Sequence, residues 1–267
     1  MMDLINSSRK IIVPAGYSEY TVDADKEIDL QLEFSKESEI FLKIIRAPKL
    51  NLTTESCGGG SIACLVWNES ETGTEFHELH NVRRDTHLHI AYGEIVKGDT
   101  LRHTKIDLLE PGAEALMSSA TLAAARKEFH ASMASRAPHT NGDMKNYAVI
   151  LEGGRFVMDA AGIIERGAHV SESHQTSRAL CFDDTMYASI VPALLIDDND
   201  VKASHAASVG RVDEDQLYYL QSRGLDINEC MRLISTGYLM PITDTINDER
   251  LKETLKKELE EKIAAIC

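Results

Sequence analysis

From Glu27 to Phe34 the chain alternates strictly, with Ile28, Leu30, Leu32 and Phe34 on one side and Asp29, Gln31 and Glu33 on the other. A period of two is that of a half-buried β-strand, and the KESE that follows reads as a turn. Short runs of the same kind recur at intervals of roughly ten residues, the spacing of many short strands. They are EIFLKII, SIACLVW, THLHIAYG, HTKIDLL, EALMSSATL, KNYAVIL, GRFVMDAAGI, TMYASIVPALLI and VKASHAASV. No sustained amphipathic helix interrupts them before Gly210.

Turn units punctuate the runs: Pro111-Gly112-Ala113, Gly153-Gly154, Arg166-Gly167-Ala168 and the acidic Asp197 to Asp200. Between them the residues lean toward Ala, Ser, Thr, Val and Ile, which suit stacked coils with tight interiors better than a sandwich filled with aromatic rings. A parallel β-helix is therefore the leading architecture, and a sandwich or barrel the second.

After Gly210 the period changes. Asp213 with Gln216 has the form of a capping box opening DEDQLYYLQSRG, and Gly224 stops that helix. Asp226 with Glu229 opens a second helix, INECMRLISTGYL, which Pro241 breaks. A third, from about Asn247, carries Leu251, Leu255, Leu259 and Ile263 at four-residue spacing on a charged rod. Such a stripe packs on its own core or, less commonly, docks a partner. Because an open β-helix end exposes unpaired backbone, these helices are expected to cap it. The chain divides into a mainly β part, residues 1–210, and a C-terminal helical subdomain, residues 211–267.

The chain has 267 residues with 43% hydrophobic content, enough for a real core, and a formal charge of −15. That charge disfavours nucleic acid or an anionic membrane as partner, since both call for a concentrated basic surface. No apolar run approaches the roughly 20 residues of a membrane span, and the amino terminus has no apolar signal core. The five cysteines, Cys57, Cys64, Cys181, Cys230 and Cys267, form an odd set without a CxxC pair. This disfavours a disulfide framework or structural zinc and fits a reducing cytoplasm.

All ten histidines lie between His77 and His205. HELH at His77 to His80 is not HExxH, so a zinc-protease reading fails. His87 and His89 share one face of a strand and, with His103 as a third ligand, define one reading, a metal-dependent β-fold enzyme. The other reading makes them outward-facing polar residues with local hydrogen bonds. CGGGS at Cys57 to Ser61 and GEIVKGDT both lack the Lys-Ser/Thr pair of a phosphate loop, so no nucleotide is expected to bind this chain. No GxSxG elbow occurs. Cys181, between Leu180 and Phe182, reads as a small core residue. Cys57, Cys64 and Cys230 read likewise, and Cys267 as a mobile terminal residue.

The segment SHAASVGRVDEDQLYYLQSRGL, residues 204–225, resembles the S-H-G-A-T-x-G-x-(I/L)-D-(E/D)-(E/D)-Q-x-(F/Y)-Y-L-x-S-R-G-(I/L) segment of SufD-type members of the SufB/SufD family. These are the scaffold proteins of SUF iron-sulfur cluster assembly. Upstream, residues 136–180 resemble the family's Pro-His-Thr, Gly-x-x-x-Phe, Gly-Ala and His-Gln-x-x-(N/S)-Arg-x-Leu elements. The likeness covers at least residues 130–240, with a fainter fit back to residue 77.

The resemblance implies a right-handed parallel β-helix that dimerises, as a homodimer or with a SufB-like subunit. It also implies a SufC-like ABC ATPase docked on the C-terminal helices, with no catalytic turnover by this chain itself. His205 matches the SufD-type histidine of a transient iron-sulfur cluster site at the dimer interface. SufB-type members carry a Cys and a Glu where this chain has Ser177 and Ala206, so the site is SufD-like and Cys181 is the nearest thiol. The chain begins close to the β-helix, which gives the expectation of a minimal form working as a homodimer.

Overall fold

The computed structural model describes residues 3–182 and 186–266, without the side chain of Ile266; Cys267 lies outside the described residues. Seventeen strands are found among these. The first seven are β1 (Asp3–Ile5), β2 (Arg9–Val13), β3 (Gly16–Asp23), β4 (Ile28–Phe34), β5 (Ser38–Arg46), β6 (Lys49–Ser56) and β7 (Gly60–Asn68). Then come β8 (Thr74–Val82), β9 (Thr86–Glu94), β10 (Thr100–Leu108), β11 (Glu114–Ala123) and β12 (Arg126–Ser135). The last are β13 (Asn141–Ile150), β14 (Arg155–Ile164), β15 (Ser171–Cys181), β16 (Tyr187–Ile196) and β17 (Val201–Arg211).

Odd-numbered strands form one sheet of nine and even-numbered strands another of eight, and every pair is parallel. The chain thus changes sheet at each turn, two strands make one coil, and the coils stack into a parallel β-helix. The sandwich and barrel alternatives are excluded by this all-parallel register. A coil lengthens along the chain, from 21 residues between paired Arg9 and Leu30 to 32 between Arg155 and Tyr187.

Strand parity sorts the side chains. Ile40, Cys64, Ile90, Met117 and Met144 stand in register on successive odd strands and fill the interior. A second apolar cluster lies outside the coil, on the outer face of the odd sheet. Here Phe41, Leu65, Trp67, Ala91, Leu122 and Val149 meet the C-terminal helices α2 (Ile227–Leu239) and α3 (Glu249–Ile266), chiefly the stripe Leu251, Leu255, Leu259 and Ile263 of α3, while α1 (Glu214–Ser222) contributes no residue to the cluster. Burying each such side chain contributes ~1.5–3 kcal/mol. The stripe therefore packs on the protein's own core. Trp67 lies flat over Gly93, where an added Cβ would come within 2.2 Å of its ring. Its indole N–H donates to Glu258 on α3 at 3.3 Å.

Asp226 and Glu229 form the expected capping box at α2. Asp213 caps α1, but by accepting from the Asp215 amide, without the reciprocal bond from Gln216. Pro241 starts a 3-10 segment, Met240–Thr245, that turns the chain into α3. The helices do not cap the end of the coil, contrary to the sequence expectation. They lie along its side, spanning β5 to β13, because that face carries outward apolar residues. The last coil, β16 and β17, is left bare, with ten of the eleven residues of β17 exposed.

Candidate functional site

His205 lies at this bare end. It pairs in register with Gln175 of β15, which pairs with Met144 and then Met117. These partners are inward residues, so His205 faces the coil interior and meets solvent because no further coil covers it. The interior column changes character as it approaches the end, from Ile90 and two methionines to Gln175 and His205. Gln175 is buried and donates from Nε2 to the Ala193 carbonyl at 2.8 Å, which ties β15 to the last strand of the even sheet.

Two positions further along the strands runs a parallel polar file. Tyr92, Ser119, Asn146, Ser177 and Ala207 are in register. The Ser119 hydroxyl donates to Asn146 Oδ1 at 2.9 Å, and Asn146 Nδ2 donates to Ser177 Oγ at 3.1 Å. At its deep end the Tyr92 hydroxyl meets His80 Nε2 at 3.1 Å, while His80 Nδ1 meets Thr54 Oγ1 at 2.9 Å. Beside it the Arg102 guanidinium is held between Glu78 and Glu94 and sandwiched by the rings of Phe76 (3.8 Å) and Tyr92 (4.2 Å). Lys127 Nζ donates to the Gly98 carbonyl at 2.6 Å and Thr100 Oγ1 at 2.9 Å.

Burial sets the protonation states in this file. It pushes His80 down to about 4, so the ring is neutral, and it raises the Tyr92 phenol well above 10 and lowers Lys127. Burial works against the Arg102 charge too, yet Glu78 and Glu94 more than offset it and keep the guanidinium charged. The interior is thus a polar file leading from a buried ion cluster to the open end.

The remaining sequence candidates are dispersed. Cys181 faces inward on β15, opposite Arg211. It stands six positions from the Gln175–His205 pair, about 20 Å along the strand, so the two do not meet within one chain. Ser177 is two positions from that pair, about 8 Å from His205 on the same inner face. Ala206 faces outward, opposite Thr176.

His87 and His89 point outward on β9 of the odd sheet, where they bond Glu114 (3.0 Å) and Ser118 (2.7 Å). His103 points outward on β10 of the even sheet, on the opposite side of the coil. The structure therefore does not bring these three together, and the local hydrogen bonds match the outward-facing polar reading. Among the described residues no group of three or more His, Cys, Asp or Glu side chains could hold a metal ion. His103 instead stacks between His77 and His130, with ring centroids 5.1 and 5.0 Å away.

Sequence reasoning did not single out the buried ions or this histidine column. Both left a signal. Arg102 shares parity with Thr100, Thr104 and Ile106, which marks it as inward, and His77, His103 and His130 recur at 26 and 27 residues, the length of one coil.

A family model described as "SUF system FeS cluster assembly, SufBD core domain" matches residues 64–238. Iron-sulfur cluster assembly protein SufD of Bacillus subtilis (strain 168) is 33% identical over 184 residues, which is 67% of this chain and 42% of that protein. SufD of Escherichia coli (strain K12) is 28% identical over 113 residues, 42% of this chain and 27% of that protein. A SufBD family protein of Staphylococcus epidermidis (strain ATCC 12228) is 26% identical over 168 residues, 60% of this chain and 36% of that one. The chain spans less than half the length of these relatives. An all-parallel β-helix with an inward histidine on its last strand and a family match over residues 64–238 lead to one assignment: the chain belongs to the SufBD family of SUF system FeS cluster assembly proteins.

Proposed function

We propose that this chain is a scaffold subunit of a SUF-type iron-sulfur cluster assembly complex, with the nascent cluster as cargo and His205 as one of its ligands. The observation that carries this reading is the placement of His205: an exposed imidazole facing the interior of an uncovered last coil, at the mouth of a polar file. Neutral imidazole is a competent iron ligand, and thiolates complete such sites. With Cys181 about 20 Å away along the strand, a cluster on His205 needs a thiolate from a second subunit. The open outer edges of β16 and β17 are where that subunit, another copy or a SufB-like chain, would add its own strands, since open edges template pairing.

Residues 1–210 would then form the dimerising body and residues 211–267 the docking unit for a SufC-like ABC ATPase. Tyr218, Tyr219, Ile227 and Leu233 are exposed on α1 and α2, and α1 buries no residue, which leaves an apolar surface for such a partner. A cytoplasmic place of work belongs to the same reading. Cys57, Cys64 and Cys230 form no disulfide, and no described helix is long and apolar enough to cross a membrane.

The test is anaerobic reconstitution of the chain co-expressed with a SufC-like ATPase, with iron and sulfide measured per complex. His205→Ala lowers the yield, and Ser177→Cys, which places a thiol about 8 Å from His205, raises it. An unchanged yield in His205→Ala removes His205 from the ligand set. Docking is probed by Tyr218→Ala/Tyr219→Ala rather than by truncation, because α3 is part of the packed body; retention of full ATPase binding refutes the docking surface.

A further inference from the structure

Gln175 carries an unmet hydrogen-bonding demand directly beneath His205. Its side chain is buried, and Oε1 has no hydrogen-bond partner among the described residues. Turning the amide does not relieve this. Nε2 donates to the Ala193 carbonyl, which is an acceptor only, so exchanging the two ends would set oxygen against oxygen. Gly162, on the inner face of β14, leaves the gap through which the amide crosses from β15 to β16; a Cβ there would come within 2.8 Å of Gln175 Nε2 and 2.3 Å of Ser173 Oγ. A buried acceptor without a donor is costly. In its column Met144, below, offers only a thioether, whereas His205, above, offers a ring N–H and makes no side-chain hydrogen bond among the described residues.

Elsewhere in the coil an imidazole above a polar residue bonds it in a constant way. His80 faces inward on β8 and meets Thr54, its in-register partner on the preceding coil, through Nδ1 at 2.9 Å, which leaves Nε2 to cross the interior to Tyr92. His87, His130 and His174 also use Nδ1 on the in-register residue of a neighbouring strand, at 3.0 Å to Glu114, 2.9 Å to Asp159 and 2.7 Å to Ser204. The reason is geometric. Nδ1 is the ring nitrogen nearer the backbone, and at a strand spacing of about 4.8 Å it is the one that reaches the paired side chain. His205 stands over Gln175 as His80 stands over Thr54.

We propose that Gln175 positions His205: Gln175 Oε1 accepts from Nδ1–H, holds the ring as the Nδ1–H tautomer and presents the Nε2 lone pair at the open end of the coil. This rests on the reading of His205 as a ligand of the nascent cluster and deepens it by naming the ligating nitrogen. An imidazole that binds a metal is fixed in tautomer and direction by the hydrogen bond its other nitrogen makes. Ser177 does not serve as that acceptor, because its Oγ already takes Asn146 Nδ2 and lies about 8 Å from His205 along the inner face. Since the Gln175 amide is also tied to the Ala193 carbonyl, the direction of the His205 ring depends on how β16 sits against β15.

Nitrogen NMR of the chain labelled at its histidines reads the tautomer directly, with the His205 signals assigned by their loss in His205→Gln. At about pH 8.5, well above the ordinary imidazole range, a solvated neutral imidazole favours Nε2–H, whereas Nδ1–H is expected to predominate at His205. Gln175→Met, close in size and without a carbonyl, lowers the ratio of Nδ1–H to Nε2–H roughly 10-fold, because it removes the buried acceptor that the Nε2–H form leaves unpaired. Ser177→Ala leaves the ratio unchanged. Circular dichroism verifies each fold, and the parent spectrum alone decides the matter if Gln175→Met does not fold. The proposal is overturned if Nε2–H predominates at His205 in the parent, if Gln175→Met keeps the parent's ratio, or if Ser177→Ala lowers it as far. Cluster yield in His205→Ala decides the ligand reading separately: loss of yield beside a parent in the Nε2–H form overturns the positioning role and keeps the ligand.

Discussion

Acid should destabilise this protein through His80 before its carboxylates are titrated. The ring is fully buried between Thr54 and Tyr92, and burial holds it at about 4 in the folded chain against an ordinary 6.5. Glu78 opposes the shift and Arg102 adds to it, but both are secondary to burial. A depressed folded value means that the unfolded chain takes up a proton which the folded chain refuses. Stability is therefore fully present above pH 6.5 and falls as the pH drops from 6.5 toward 4. The full difference is ~3 kcal/mol, and about 2 kcal/mol of it is already lost at pH 5. Urea unfolding followed by far-ultraviolet circular dichroism at pH 7.5, 6 and 5 measures this loss. His80→Gln, which keeps hydrogen-bonding groups near Tyr92 without a titrating ring, should lose about 2 kcal/mol less than the parent between pH 7.5 and 5. His89, partly buried and also held at about 4 by burial, contributes in the same direction and is controlled with His89→Gln. Equal acid slopes in the parent and His80→Gln would show that the interior is wet enough to protonate the ring, and the argument from burial would fail.

Two other substitutions separate the interior from the helical cover. Arg102→Met strands Glu78 and Glu94 without their cation and should cost about 3–5 kcal/mol in urea unfolding, with part of that regained when Glu78→Gln and Glu94→Gln are added; a cost below ~1 kcal/mol would mean the ion cluster is solvated. Leu255→Ala opens a cavity under α3 worth about 2–5 kcal/mol, and because each coil contacts only its neighbours the loss should stay local. Trypsin should then cut faster at Lys256 and Lys257 while the β midpoint holds, and a β-helix that melts in step with α3 would refute this.

The strands legible in the sequence are those with apolar inner faces, such as β4 with Ile28, Leu30, Leu32 and Phe34. Two that escaped, β8 and β15, carry polar residues on their inner faces. β15 turns Ser171, Ser173, Gln175 and Ser177 inward, and β8 turns Glu78 and His80 inward, so neither alternates in hydrophobicity although both alternate in burial. These are the same residues that build the polar file toward His205. A sequence scan for apolar period therefore loses the β-helix where its interior becomes chemically interesting. The family resemblance located His205, whereas its inward direction and exposure follow from register and from the lack of a covering coil, neither of which one strand's sequence contains.

The helical cover was legible in a different way. In SIACLVW both Cys64 and Val66, which face inward, and Leu65 and Trp67, which face outward, are apolar, and NYAVIL repeats this with Val149 outward. A strand apolar on both faces is a strand buried on both faces. That pattern occurs on odd strands β5, β7 and β13, while even strands such as β8 and β10 keep His, Glu and Lys outward, so the sequence already distinguishes a face awaiting a cover from a face left to solvent. The stripe of α3 is the matching surface, and the pairing explains why the helices lie along the odd sheet and leave the end open. The consequence is functional. A force applied at α2 would enter β13 directly, where the Tyr147 and Tyr238 rings meet, and reach His205 along the register Met144, Gln175, His205, while one applied at α1 would also pass along the chain through Val212 into β17. In the proposed assembly Gln175 is thus a positioning residue, held between the body of the coil and the Ala193 carbonyl of β16.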